Sequence, residues 1–197
     1  MTTPTLVGNP PRVGGLDISL TASGLAWPHR VAVHGLKGLT TLSPGPREHQ
    51  LWRLAEQLFV KISDPEHGIG QNPGTRPVLV VVENLPTGRT AGGVVSTEKG
   101  YVYHEVIRLL HYHGIPVLEV APSVIKKYAT GKGNANKGAV IEATARRMPW
   151  LLTAGDDNAC DAAWAMAIGC ALLGQPVVDV PKLHQDALTK LRLPAAP

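Results

Sequence analysis

Four carboxylates in this chain stand where strands and helices seldom place them. Asp17 falls inside a short segment from Val13 to Leu20 in which Leu16, Ile18 and Leu20 alternate, the pattern of a strand. It shares a face with Gly15 and Ser19, while Leu16 and Ile18 point the other way. Glu83 ends the run Val78-Leu-Val-Val-Val82, whose continuous β-branched character suits a strand covered on both faces. The carboxyl end of such a strand is where an open sheet binds ligands. Asp157 and Asp161 are four apart at the start of a small, apolar helix and project from one face of it. An Asp at a helix start is commonly a cap or a dipole partner, which accounts for Asp156 and Asp157. Capping does not reach Asp161, about a turn further in, and an Asp inside a strand is disfavoured as well.

If these acids converge, each pair about 5 Å apart repels by roughly 3 kcal/mol at an effective dielectric near 20. A protein cation or a metal ion must then neutralise them, and no basic residue adjoins any of the four in the sequence. Carboxylate oxygens suit Mg²⁺ or Mn²⁺, and two such ions about 4 Å apart activate a water and stabilise the departing oxygen in phosphodiester cleavage. The expectation is geometric: acids far apart in the chain meet at one edge of a sheet.

The elements that must position them follow from the rest of the pattern. Residues 1–12, with Pro4, Pro10 and Pro11, read as a flexible N-terminal arm. Three short β segments, Val13 to Leu20, Gly24 to Trp27 and Arg30 to Leu36, suggest an antiparallel meander. Arg47 to Ile62 carries Leu51, Leu54, Ala55, Leu58 and Phe59 at helical spacing. A loop rich in Gly, Pro and Asp (Ser63 to Pro77) precedes the strand that ends in Glu83. Then come a helix from Tyr101 to His113, a strand from Pro116 to Val120, and a helix from Ser123 to Ala129 with Pro122 in its first turn. Further helices run from about Asn134 to Met148 and from about Asn158 to Leu173. The last is apolar all round and therefore buried all round. The fold class is α/β: a mixed sheet, three antiparallel strands then parallel strands, flanked by helices. The domain spans 13–175, and 176–197 is a tail with one short helix (Lys182 to Leu191).

Composition bounds the function. The chain's 197 residues, 44% apolar and 17% charged, make one ordinary globular domain. No apolar run approaches 18 residues, and the N-terminus lacks a basic flank and an apolar core, so neither membrane insertion nor export is expected and the location is cytoplasmic. Cys160 and Cys170, ten residues apart in one helix and so about 15 Å apart, are expected to be free thiols. They cannot make a zinc ribbon without nearby histidines. His111 and His113 face different ways on their helix and form no metal clip. The four tryptophans, Trp27, Trp52, Trp150 and Trp164, are assigned to the core.

The net charge is +4, and between Lys99 and Arg147 eight Lys or Arg (99, 108, 126, 127, 132, 137, 146 and 147) face three acids. A phosphate track would lie there. Gly131 and Gly133 free the backbone to approach a phosphate, Asn134 can cap the following helix, and the helix start adds amide donors. A solvated helix face beside a Gly turn explains the same residues without any ligand.

In order along the chain, Gly15-Leu-Asp17-Ile-Ser-Leu-Thr-Ala-Ser-Gly24, Val80-Val-Val-Glu83-Asn84, Val120-Ala-Pro-Ser-Val-Ile-Lys126-Lys127, Thr130-Gly-Lys132-Gly-Asn134-Ala-Asn-Lys137 and Asp157-Asn-Ala-Cys-Asp161-Ala-Ala-Trp-Ala resemble the RuvC-type Holliday junction resolvases of the ribonuclease H-like superfamily. The set covers roughly residues 13 to 175 and looks most like the divergent versions carried by bacteriophages. The resemblance implies a homodimeric, Mg²⁺-dependent endonuclease, with Mn²⁺ as a substitute and two ions per site. It would nick two strands of a four-way DNA junction symmetrically and leave ligatable 5′-phosphate ends. Asp17, Glu83 and Asp161 match the family's acids. The family's remaining acid or histidine stands three residues before the last Asp, where this chain has Asn158. Asp157 is the preferred fourth residue, with Asp156 and Asn158 left open. Implied DNA contacts are Arg89, Lys126, Lys127, Lys132, Asn134 and Lys137. The family's aromatic wedge has no counterpart between Asn84 and Ser96, which leaves Arg89 an electrostatic part. The resemblance calls for branched DNA as partner and for no small-molecule cofactor. Rival readings are a related nuclease specific for flaps, branched DNA or RNA–DNA hybrids, an inert junction-binding protein, and an actin-like ATPase or sugar kinase. The last needs a second such domain, for which this chain has no room.

Overall fold

The computed structural model describes residues 12–63, 76–85 and 96–195. Three antiparallel strands, β1 (Val13–Asp17), β2 (Ser23–Trp27) and β3 (Arg30–His34), form the meander. The helix α1 (Pro44–Ser63) returns the chain to β4 (Leu79–Glu83), which pairs parallel to β1. Next, α2 (Thr97–Tyr112) leads to β5 (Val117–Val120), parallel to β4. The sheet order is β3-β2-β1-β4-β5, the expected mixed sheet. Four helices follow: α3 (Pro122–Thr130), α4 (Lys137–Arg147), α5 (Asp157–Leu172) and the short α6 (Lys182–Gln185).

Strand alternation sorts the core into two layers. Leu16, Val80 and Val82 face α1 and α2, packing with Leu54, Leu58, Val102 and Val106. Val13, Leu79 and Val81 face the other way and pack on α3, α4 and above all α5. The helix α5 carries mostly small residues, and the sheet answers with glycines. A Cβ on Gly15 would lie 2.0 Å from the Ala162 carbonyl oxygen, and one on Gly24 would lie 1.9 Å from that of Asn158. The helix therefore rests on the β1–β2 backbone itself, closer than any side chain on those strands would permit.

Several boundaries and surroundings differ from the pattern's forecast. β1 ends at Asp17, so this acid closes its strand instead of sitting in its middle. The helix α1 begins three residues early, at Pro44, whose fixed φ suits a first turn. The cap of α4 is Asn136, whose side chain accepts from the Ala139 amide, and not Asn134. Trp27 and Trp164 are core, and Trp150 is half-buried with its Nε1 donating to the Pro28 carbonyl. Trp52 is not core: it is 40% exposed, one position off the buried stripe of α1, and stacks loosely on His49. Both cysteines are free and buried. After Pro176, Val177, Val178, Val180 and Ala187 are buried against the α3–α5 layer. Residues 1–11 of the expected arm, 64–75 of the expected loop and 86–95 after β4 fall outside the described residues. Among those described, no helix is long and apolar enough to cross a membrane.

Candidate active site

The parallel ladder between β1 and β4 places the first two acids. Leu16 is level with Val82, so one residue on, Asp17 and Glu83 reach the ends of neighbouring strands together. By alternation both share the face of Gly15 and Val81, the face covered by α5. On the far side of Asp17, Gly24 lies level with it and admits the Asn158 carbonyl, which presses the first turn of α5 against the strand ends. Asp157 opens that turn, and Asp161 follows one turn further along the same face. A cleft of about 190 Å³ results, lined by Asp17, Glu83, Asp157, Asn158 and Asp161 together with Lys99, Lys126 and Lys137. A water molecule occupies about 30 Å³ in the liquid, so the cleft has room for a few water-sized groups.

The four acids are not equivalent. Asp17 is only 7% exposed, and burial, with Asp161 and Asp157 nearby, lifts its carboxyl to about 7 against the pull of Lys99. Glu83 rises to about 8, again from burial first and then from Asp17 and Asp161. Burial brings Asp161 to about 6, and its Oδ1 is buried with no hydrogen-bond partner. Asp157 goes the other way: Lys137 Nζ is its hydrogen-bonded ion-pair partner and holds its carboxyl below the usual range. Asp156 is the helix cap, accepting from the Ala159 amide, which accounts for it without any ligand.

No basic residue adjoins these acids in the sequence, but the fold brings protein cations to them. Three lysines line the cleft, each brought from a remote part of the chain: Lys99 from the first turn of α2, Lys126 from α3 and Lys137 from the first turn of α4. By sequence, Lys99 belongs to the general basic track and not to the site. Its local signal was the Ser96 cap, which fixes the start of α2 three residues before it. Of the other basic candidates, Lys132 and Asn134 line a separate groove with Thr130, Asn136 and Arg146. Lys127 is half-buried and does not line the cleft. Arg89 lies outside the described residues.

The donor set fits a hard divalent cation. It offers carboxylate oxygens only, three of which hold their protons more tightly than free acids do, and one oxygen left without any partner. Among the described residues no three acids, histidines or cysteines are drawn into the spacing of a single coordination shell.

The mixed sheet β3-β2-β1-β4-β5, with acids on the ends of β1 and β4 and on a buried helix beside them, shares its fold with solved RuvC structures. In sequence the chain is similar to the crossover junction endodeoxyribonuclease RuvC of Synechococcus sp. (strain WH7803), 32% identical over 87 residues. That stretch is 44% of this chain and spans about half (54%) of the relative's length. In fold it matches the Thermus thermophilus RuvC structure with a TM-score of 0.54, at 18% identity, over 85% of this chain and 99% of the other. The structure of T. thermophilus RuvC in complex with Holliday junction substrate matches with a TM-score of 0.52, also at 18% identity, over 85% of this chain and 98% of that one. No protein-family model matches the sequence.

Proposed function

We propose that the protein is a structure-selective endonuclease that resolves four-way DNA junctions by metal-dependent hydrolysis, nicking paired strands symmetrically. The observation that carries this reading is the meeting of Asp17, Glu83, Asp157 and Asp161 in one cleft at the carboxyl ends of β1 and β4. The similarity to RuvC, one of whose solved structures holds a Holliday junction, supports it. The catalytic unit spans 13–175 in this reading, and the partner is branched DNA met by a homodimer, since two symmetric nicks require two sites.

Asp17, Glu83, Asp157 and Asp161 would hold the metal. Bound there, Mg²⁺ or Mn²⁺, two ions per site in this proposal, supplies Lewis acidity toward the scissile phosphate and makes water a nucleophile near neutral pH. The chain's own contribution is preorganisation. Strand ends fix the backbones of Asp17 and Glu83, and α5 fixes that of Asp161, so side-chain rotations would bring the carboxylates onto an arriving cation. Water adds to phosphorus and the bond to the 3′ oxygen breaks, leaving a 5′-phosphate and a 3′-hydroxyl. Lys126 and Lys137 at the rim bind phosphate oxygens. Lys127, Lys132, Asn134 and Arg89 are proposed to extend that track.

Synthetic four-way junction, fork, flap, RNA–DNA hybrid and linear duplex, incubated with Mg²⁺, test the reading. Symmetric nicking is expected on the junction, falling at least 10³-fold in Asp17→Asn and Asp161→Asn while junction binding persists, as removal of essential catalytic groups does. Equal cutting of linear duplex, or undiminished rates in both variants, contradicts the proposal. Preference for a flap or a hybrid moves it to a neighbouring specificity.

A further inference from the structure

The cleft holds an asymmetry among its lysines. Lys137 is engaged with Asp157. Lys99 makes no side-chain hydrogen bond or ion pair among the described residues, although its charge acts on both Asp17 and Glu83. It also comes from the opposite layer: α2 packs on the α1 face of the sheet, whereas Lys126 and Lys137 belong to the α3–α5 face. Lysines thus stand on both sides of an acidic floor. Once cations neutralise the floor, the Lys99 ammonium faces positive charge at close quarters and needs an anion. In a cleft whose lining offers no other acid, a backbone phosphate of the bound strand is that anion.

We infer that Lys99 is a phosphate-binding residue that grips the cut strand from the α2 side of the cleft, opposite Lys126 and Lys137. This rests on the nuclease reading for its cleavage test, though not for its binding test. Lys99 is half-buried on the first turn of α2 and lies outside both core clusters, so its replacement removes a charge and not a core contact.

The experiment compares the parent protein with Lys99→Gln and Lys99→Arg. With four-way junction and Mg²⁺, Lys99→Gln is expected to raise KM about tenfold, the loss of one charge-assisted contact, with a smaller change in kcat. Lys99→Arg recovers most of the loss. With Ca²⁺ in place of Mg²⁺, fluorescence anisotropy of labelled junction is measured across a KCl series. The slope of log K against log[salt] should fall by about 0.9 in Lys99→Gln, one phosphate contact fewer, a change that a purely structural role does not produce. An unchanged slope and KM overturn the inference. A parent that binds DNA with the expected slope difference but cuts no junction sinks the nuclease reading and upholds the contact. A parent that binds no DNA sinks both.

Discussion

At the scale of single residues, the cleft is a place where the fold works against its own charges. Asp17, Glu83 and Asp161 take up protons at about 7, 8 and 6 in the folded protein, against ordinary values of 3.8, 4.5 and 3.8. The native state therefore binds more protons than the unfolded chain between the unfolded values and the folded ones. Wherever that holds, stability falls as pH rises. The metal-free protein should lose Tm steadily from about pH 5 to pH 8, a trend followed by thermal melts in EDTA. Saturating Mg²⁺ should restore Tm at pH 8 much more than at pH 5, because a cation that binds only the folded state stabilises it and competes with those protons. Asp17→Asn should flatten the pH trend. A Tm that rises toward pH 8 in EDTA would show that these carboxyls are not strained by burial. Asp157 stands apart, since Lys137 already keeps it ionised.

At the scale of elements, the decisive contact is α5 lying on β1 and β2. Gly15→Ala drives a methyl to within 2.0 Å of the Ala162 carbonyl and 2.5 Å of the Met166 amide nitrogen, backbone atoms of a fully packed helix. Overpacking of this kind should cost about 3 kcal/mol, and in a chain of this size lower Tm by roughly 6–12 °C. Gly100→Ala is the matched control: no heavy atom lies within 4 Å of its added methyl, and helix propensity alone makes it neutral or stabilising by up to about 1 kcal/mol. Equal melting points for the two variants would remove the argument for close seating. The same element scale shows what the sequence could carry. Alternation around Leu16 and Ile18, the β-branched run before Glu83 and the small apolar text of α5 were each dictated by burial, so they could be read directly, and with them the positions of four acids. The lysines could not be read in this way. Lys99 reaches the cleft because α2 packs on the opposite layer of the sheet, a long-range fact with no local periodicity. In Asn134-Ala-Asn136 either Asn satisfies capping rules, and the choice falls to how many residues the turn after Gly131 consumes. Trp52 was within reach, because one step from Leu51 on α1 turns the side chain about 100° off the buried stripe.

At the scale of the whole molecule, the segment beyond α5 returns to the layer that carries Lys126 and Lys137. His184 is the hinge of that return. It is buried, its Nδ1 lies 2.9 Å from the Tyr128 carbonyl on α3, and its Nε2 lies 3.0 Å from where a Cβ on Gly131 would be. Gly131 caps α3 with φ of 83°, a conformation that favours glycine, and begins the turn that leads to Lys132 and α4. Further along, Arg147 at the end of α4 donates to the Asp179 carbonyl, so the segment clasps α3 and α4 from one side. Replacing His184 by Ala removes the imidazole partner of a buried carbonyl and opens a cavity beside the turn. The expected cost is about 2 kcal/mol, hence a Tm lower by roughly 4–8 °C. His184→Gln, whose amide can donate to the same carbonyl, should recover part of it. Because the loss falls on the α3–α4 turn and not on the strand ends, amide exchange should accelerate first at residues 128–136 and leave β1 and β4 protected. Uniform acceleration across the sheet would mean that the segment supports the whole core and has no particular hold on the turn.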